Sequence, residues 1–210
     1  MDAIATNWVA TIYLLTAAMF LVPFGRAADI YGRKRVFALG IVVYTVASLF
    51  IALADSASTL IAFRAVQGIG GAMLFGTGIA ILTSVYPASR RGHVLGINVA
   101  AVYLGLAMGP FLGGILTSHF GWRSIFFLNI PIGVFIVVLT LWQLKGEWAE
   151  SQGEKFDYAG ACLYGLSLAL LMFGLSRLPA VSGLAIAGLG IVTGLGFVLL
   201  ETKLFFPVLH

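Results

Sequence analysis

The sequence predicts an all-α integral membrane protein of about seven transmembrane helices. Three observations lead there. Only 10% of the 210 residues are charged and 60% are hydrophobic, whereas a soluble domain carries about 25% charged residues. The apolar residues fall in long blocks, and about 20 of them in a helix span a bilayer. The basic residues gather in alternate connections between those blocks. Helices are the expected form because a segment away from water must satisfy its own backbone polar groups. The short alternating segments of a membrane β-barrel are not seen in the sequence.

In chain order the blocks are Trp8–Phe24, Val36–Ala54, Leu60–Ser84, Val94–Leu116, Ser124–Leu144, Tyr158–Leu175 and Val181–Leu200. Asp55–Thr59, Thr117–Arg123 and Ser176–Ala180 read as tight turns on one side. Gly25–Arg35, Val85–His93 and Lys145–Asp157 read as longer loops on the other. The long-loop side, with the C-terminal tail, holds nine cations: Arg26, Arg33, Lys34, Arg35, Arg90, Arg91, Lys145, Lys155 and Lys203. The short-turn side holds two, Arg123 and Arg177. Basic loops stay in the cytoplasm, so the N-terminus is expected outside and the C-terminus inside. The net charge of +4 then follows from topology and calls for no nucleic-acid partner.

Met1-Asp2 has neither a basic start nor a cleavage site, so it is not read as a signal peptide. It reads as an external loop whose preceding helix is absent. Cys162 is the one cysteine and lies within a span, which excludes a disulfide inside the chain. His93, His119 and His210 are expected in loops or at the terminus. The chain divides into a helix bundle over 1–144, a cytoplasmic linker over 145–157, and a further helix pair with the start of the next connection over 158–210.

Three stretches carry the functional argument. GRAADIYGRKRVF, Gly25 to Phe37, places one carboxylate, Asp29, among four cations between two glycines able to turn tightly. Charge alone favours a solvated stop-transfer loop; the spacing of the residues points elsewhere. LIAFRAVQGIGGA, Leu60 to Ala72, puts Arg64 in an apolar span, about 6 Å below Leu60 at 1.5 Å per residue. From there it can snorkel to the outer interface. Yet Gln67, Gly68, Gly71, Phe75 and Gly78 follow on its own stripe. A polar head with glycines marks a protein-packed or water-lined face, and an inward ionisable residue in a membrane is a functional candidate. The glycines are not a nucleotide loop, which needs a preceding strand and an exposed helix start. GLAMGPFLGG, Gly105 to Gly114, continues a row of small residues four apart, Ala101, Gly105, Gly109 and Gly113, that suits close helix approach. Pro110 cannot donate to the Leu106 carbonyl, so a bend is expected there.

In this order the stretches resemble motifs A, B and C of the major facilitator superfamily, and GWRSIFFLNIPIG, Gly121 to Gly133, resembles the sixth helix of its fourteen-helix drug:proton antiporters. Gly25, Ala28, Asp29, Gly32, Arg33 and Lys34 match motif A, with Ala27 in place of the usual leucine. Arg64, Gln67, Gly68 and Gly70 match motif B. Gly105, Gly109, Pro110, Gly113 and Gly114 match motif C. The resemblance covers essentially the whole chain and implies a partial major-facilitator fold. The first span corresponds to the family's second helix, and the last two to the pair inserted between its six-helix halves.

The resemblance further implies roles. Gly25, Asp29, Gly32, Arg33 and Lys34 form a conformational latch that stabilises one access state. Arg64 and Gln67 take part in proton coupling, with a carboxylate partner supplied from elsewhere. Gly105, Gly109, Pro110, Gly113 and Gly114 form the helix-packing, antiport-associated gate. Substrate-binding residues are not assigned; Tyr13, Thr16 and Asn98 suit packing better than a cavity wall. The glycines Gly188, Gly190, Gly194 and Gly196 read as packing, and Trp142 and Trp148 as an interfacial belt.

The expected activity is export of small hydrophobic molecules or drugs by proton-coupled antiport in the inner (plasma) membrane, as part of a larger transporter. The proton gradient supplies the energy, and no cofactor or metal is called for. The partners are the lipid bilayer, a small-molecule substrate, and either a missing transporter half or a second copy. An importer on the same fold and a non-transporting membrane module are the alternatives. An intramembrane enzyme is disfavoured, because the spans carry no nucleophile–base pair and no buried carboxylate.

Overall fold

The computed structural model describes residues 3–202. They form seven helices: α1 (Ala3–Tyr31), α2 (Arg33–Ala52), α3 (Ala57–Val85), α4 (Ala88–Phe120), α5 (Arg123–Gln143), α6 (Tyr158–Leu175) and α7 (Val181–Glu201). All seven are long and apolar enough to cross a membrane. The Met1-Asp2 start, Lys203 and His210 lie outside the described residues.

Two expected loops are mostly helix. In place of a Gly25–Arg35 loop, α1 continues to Tyr31 and α2 begins at Arg33. Gly32 alone breaks the path, at φ 113° and ψ 127°, a conformation that needs glycine. In place of a Val85–His93 loop, only Tyr86 and Pro87 separate α3 from α4. His93 and His119 therefore belong to α4 rather than to loops. Hydropathy marks where a span leaves the bilayer, whereas a helix ends where its backbone bonding stops. Residues such as Arg26–Ala28 have good helix propensity and carry α1 past the apolar block. The 33 residues of α4 make a helix roughly 50 Å long, well over the ~30 Å hydrocarbon core. The linker stays non-helical, with Asp157 capping α6 by accepting from the N–H groups of Ala159 and Gly160 at 3.1 and 3.0 Å. At the opposite end Ser56 caps α3 through Thr59 N–H, 3.1 Å. Arg123 donates to the Ala52 and Ala54 carbonyls at 3.1 and 2.7 Å, tying down the C-terminus of α2.

Packing runs in the order α7, α6, α1, α3, α2, α5. The centre of this row is α3, and its GIGGA glycines divide its two faces. A Cβ on Gly68 would collide with Thr16 and the Tyr13 carbonyl of α1. A Cβ on Gly70 would sit 2.7 Å from Tyr44 N and 2.9 Å from the Gly40 carbonyl of α2. Backbone atoms stand in the way at each position, so the helices meet this closely only because both are glycine. Gly174, Gly183 and Gly190 do the same between α6 and α7. By contrast α4 buries none of its residues and touches only α3 and α5.

Candidate functional site

The end of the bundle bearing the linker holds the first constellation. Gly32 turns the chain so that Asp29, on the last turn of α1, faces Arg33, on the first turn of α2. Asp29 Oδ1 accepts from Arg33 Nε at 2.8 Å and pairs with its other terminal nitrogen at 2.7 Å. The remaining edge of the guanidinium donates to Ser84 Oγ of α3 at 2.7 Å and to Glu150 Oε1 of the linker at 2.8 Å. Arg33 is only 6% exposed, and a buried cation is costly unless paired and hydrogen-bonded. Of the expected latch residues, Asp29, Gly32 and Arg33 thus converge. Lys34 is adjacent but reaches the Leu144 carbonyl. Gly25 lies further up α1, in contact with α3 at Gly76.

Sequence reasoning missed the linker's share of this site. Glu147 accepts from Lys34 N–H at 2.9 Å and lies 3.5 Å from Arg35 Nε. Glu154 pairs with Arg26, whose other nitrogen donates to Ser151 Oγ at 2.9 Å. A signal was present: four of the chain's eight acidic residues, Glu147, Glu150, Glu154 and Asp157, crowd into this one connection opposite the cationic joint. The carboxyl of Glu150 is held below the usual carboxylate range by the Arg33 guanidinium that it accepts from, with Arg91 adding to the pull.

The second constellation crosses three helices near the short-turn end. Arg64 Nε donates to the Val9 carbonyl of α1 at 3.0 Å, and its terminal nitrogen to Gln67 Oε1 at 2.6 Å. Gln67 Nε2 donates to Ser48 Oγ of α2 at 2.8 Å, and that hydroxyl donates to the Tyr44 carbonyl at 2.8 Å. Gln67 and Ser48 are fully buried. The guanidinium lies 4.5 Å from the ring centre of Tyr13 and 5.9 Å from that of Phe126. It is therefore turned into the bundle rather than out to the interface. Among the described residues no carboxylate pairs with it. The stripe it heads divides: Gly68 and Gly71 pack on Thr16 and Tyr13, while Phe75 is exposed and a Cβ on Gly78 would meet nothing. Tyr13 and Thr16 are thus packing residues here.

The third constellation is a surface. A Cβ on Gly105, Gly109 or Gly114 would meet nothing within 4 Å, and one on Gly113 only Ile125, at 3.9 Å. Helix α4 continues through Pro110. Among the described residues the row expected to pack closely is therefore open along Gly105 and Gly109 and meets α5 only at its Gly113 end. An apolar cleft of about 490 Å³ lies between α1 and α6, lined by Met19, Phe20, Phe24, Phe156 and Leu166 and bordered by Cys162. No group of three His, Cys, Asp or Glu residues is placed to hold a metal among the described residues.

Known proteins resemble this chain in sequence. The family described as Major Facilitator Superfamily matches residues 1–204. The riboflavin transporter RibZ of Clostridioides difficile is 34% identical over 81% of this chain and 38% of its own length. The cephamycin export protein CmcT of Amycolatopsis lactamdurans is 37% identical over 94% of this chain and 42% of its own length. Multidrug resistance protein 3 of Bacillus subtilis is 33% identical over 80% and 33%. The chain thus spans about a third to two fifths of these curated relatives. The ordered motifs, the seven membrane-spanning helices and the match over nearly all of the sequence lead to one conclusion: this multi-pass membrane protein belongs to the Major Facilitator Superfamily of membrane transporters.

Proposed function

We propose that this chain forms the N-terminal-half bundle of a cell-membrane exporter that exchanges small hydrophobic molecules or drugs for protons. Its linker end faces the cytoplasm, its N-terminus lies outside and its C-terminus inside. The observation that carries the reading is the Asp29–Arg33 pair across the one-residue break at Gly32. It bridges two helices at a charged end, where a small relative movement makes or breaks a half-buried ion pair. Such a bistable contact is what alternating access requires, with two bundles rocking about a central site. Arg64 and Gln67 supply a fixed positive, hydrogen-bonding surface that would favour the ionised form of a carboxylate brought against it, easing proton release. The relatives named as a cephamycin export protein and a multidrug resistance protein support outward movement of drugs.

The open face of α4 leaves a surface for further helices or a second copy to cover, and among the described residues Arg64 has no carboxylate partner. Proteoliposomes of this chain alone are therefore expected to show no saturable, proton-driven drug efflux. In a carrier completed with the remaining helices, drug addition should release protons from energised everted vesicles. Drug efflux that persists unchanged after the pH gradient is collapsed would overturn the antiport reading. Uptake on the same fold is the second reading, since one relative is named a riboflavin transporter and not an exporter. Accumulation of substrate inside right-side-out vesicles would select it.

A further inference from the structure

The linker over 144–157 is bound along the α1–α2 joint rather than merely joining α5 to α6. Its course is antiparallel to the joint. Arg33 N–H donates to the Trp148 carbonyl and Ser151 N–H to the Asp29 carbonyl, both at 2.9 Å. Glu147, Glu150 and Glu154, three and four residues apart, fall in turn on Lys34 N–H with Arg35, on Arg33, and on Arg26. Two needs of the joint are met only in this way. The N-terminus of α2 has no side-chain cap of its own, since Gly32 occupies that position. The Trp148 carbonyl and the Glu147 carboxylate take its first free N–H groups, and negative charge is favoured there. Arg26 is 6% exposed, and its side-chain partners, Ser151 and Glu154, both belong to the linker. With the linker gone, a buried guanidinium would have no counter-charge, an arrangement strongly disfavoured.

We propose that the linker is a working part of the latch, with Glu150 and Glu154 as positioning residues that dock it on Arg33 and Arg26. This builds on the latch role assigned above to Asp29 and Arg33. Arg33 is shared between Asp29, within the α1–α2 joint, and Glu150, on the segment leading into α6. Opening the joint therefore has to displace the linker or strand a buried cation. The linker transmits movement of α1 and α2 to the α6–α7 pair, beyond its role as a tether.

Spin labels test this without any transport measurement. Cysteines are placed at the exposed positions Ser89 and Gln152 in a Cys162→Ser background, and the protein is held in lipid nanodiscs. A docked linker gives one narrow distance distribution. Glu150→Gln with Glu154→Gln should lose it in favour of a broad, longer one, whereas Asp29→Asn alone should keep it. Arg26→Glu and Glu154→Arg should each broaden the distribution, and the two together should restore it. A narrow distribution retained in the double glutamine variant, or a charge swap that restores nothing, overturns the proposal. Because the readout is a distance, failure of proton antiport leaves it standing, and its own failure leaves the antiport reading untouched.

Discussion

At the scale of single residues, Arg64 and Asp29 make contrasting predictions. Arg64 joins α1 to Gln67 by two donors in a fixed fork and stacks on Tyr13. Lysine keeps the charge but loses the fork, so Arg64→Lys should be impaired. Arg64→Ala should be worse, because the buried Gln67 Oε1 loses its donor, at about 1–3 kcal/mol if it stays dry, and the tie to the Val9 carbonyl of α1 goes with it. In the completed carrier Arg64→Ala should also lose proton coupling; full coupled transport by that variant would reduce Arg64 to a packing group. Asp29→Asn leaves Ser84 and Glu150 on Arg33, so insertion should be normal while transport falls about tenfold, ~1.4 kcal/mol. Unchanged transport would return the Asp29 cluster to a topology signal. Glu150 adds a pH prediction. Its folded pKa lies below its ordinary value through Arg33, so its contribution to docking is complete above the ordinary carboxylate range. That contribution is lost only as pH falls through the lower, folded value. Arg33 and Arg91 are the charged groups that act on it, and Asp29 shares Arg33 with it. The spin-label distance should therefore hold through mildly acidic pH, and loss of docking near neutrality would contradict this account.

At the scale of elements, the glycines of α3 and α4 are alike in sequence and unlike in consequence. Gly70 faces backbone at 2.7 and 2.9 Å from where its Cβ would lie. Gly70→Ala should therefore destabilise the bundle by about 1–3 kcal/mol through overpacking. Gly78→Ala and Gly105→Ala meet nothing and should be neutral, or stabilising by roughly 0.5–1 kcal/mol through helix propensity. Thermal unfolding of the purified chain in detergent separates these cases, and a uniform response across the three would contradict the packing described. Small-residue spacing was legible in the sequence for both helices. Which row meets a neighbour was not, because spacing records what a helix permits rather than what approaches it.

At the scale of the whole molecule, the prediction is topological. Gln152→Cys and Ser58→Cys lie at opposite ends of the helices, in the linker and at the start of α3. In a Cys162→Ser background an impermeant thiol reagent should reach only Ser58→Cys in intact cells. Labelling of Gln152→Cys from outside would invert the proposed orientation. The sequence by itself determined the fold class, the seven spans in order and the charge asymmetry. These depend on transfer of apolar surface into lipid, which each segment decides from its own composition. The resemblance also singled out Asp29, Arg33, Arg64 and Gln67 as candidates. Only the tertiary structure decided their partners. It continued α1 through the expected loop to Gly32, and it turned Arg64 inward onto Gln67 and Ser48. It also placed Glu147, Glu150 and Glu154, more than 100 residues away in the chain, on the α1–α2 joint. Such contacts arise from how helices lie against one another, which local hydropathy does not encode.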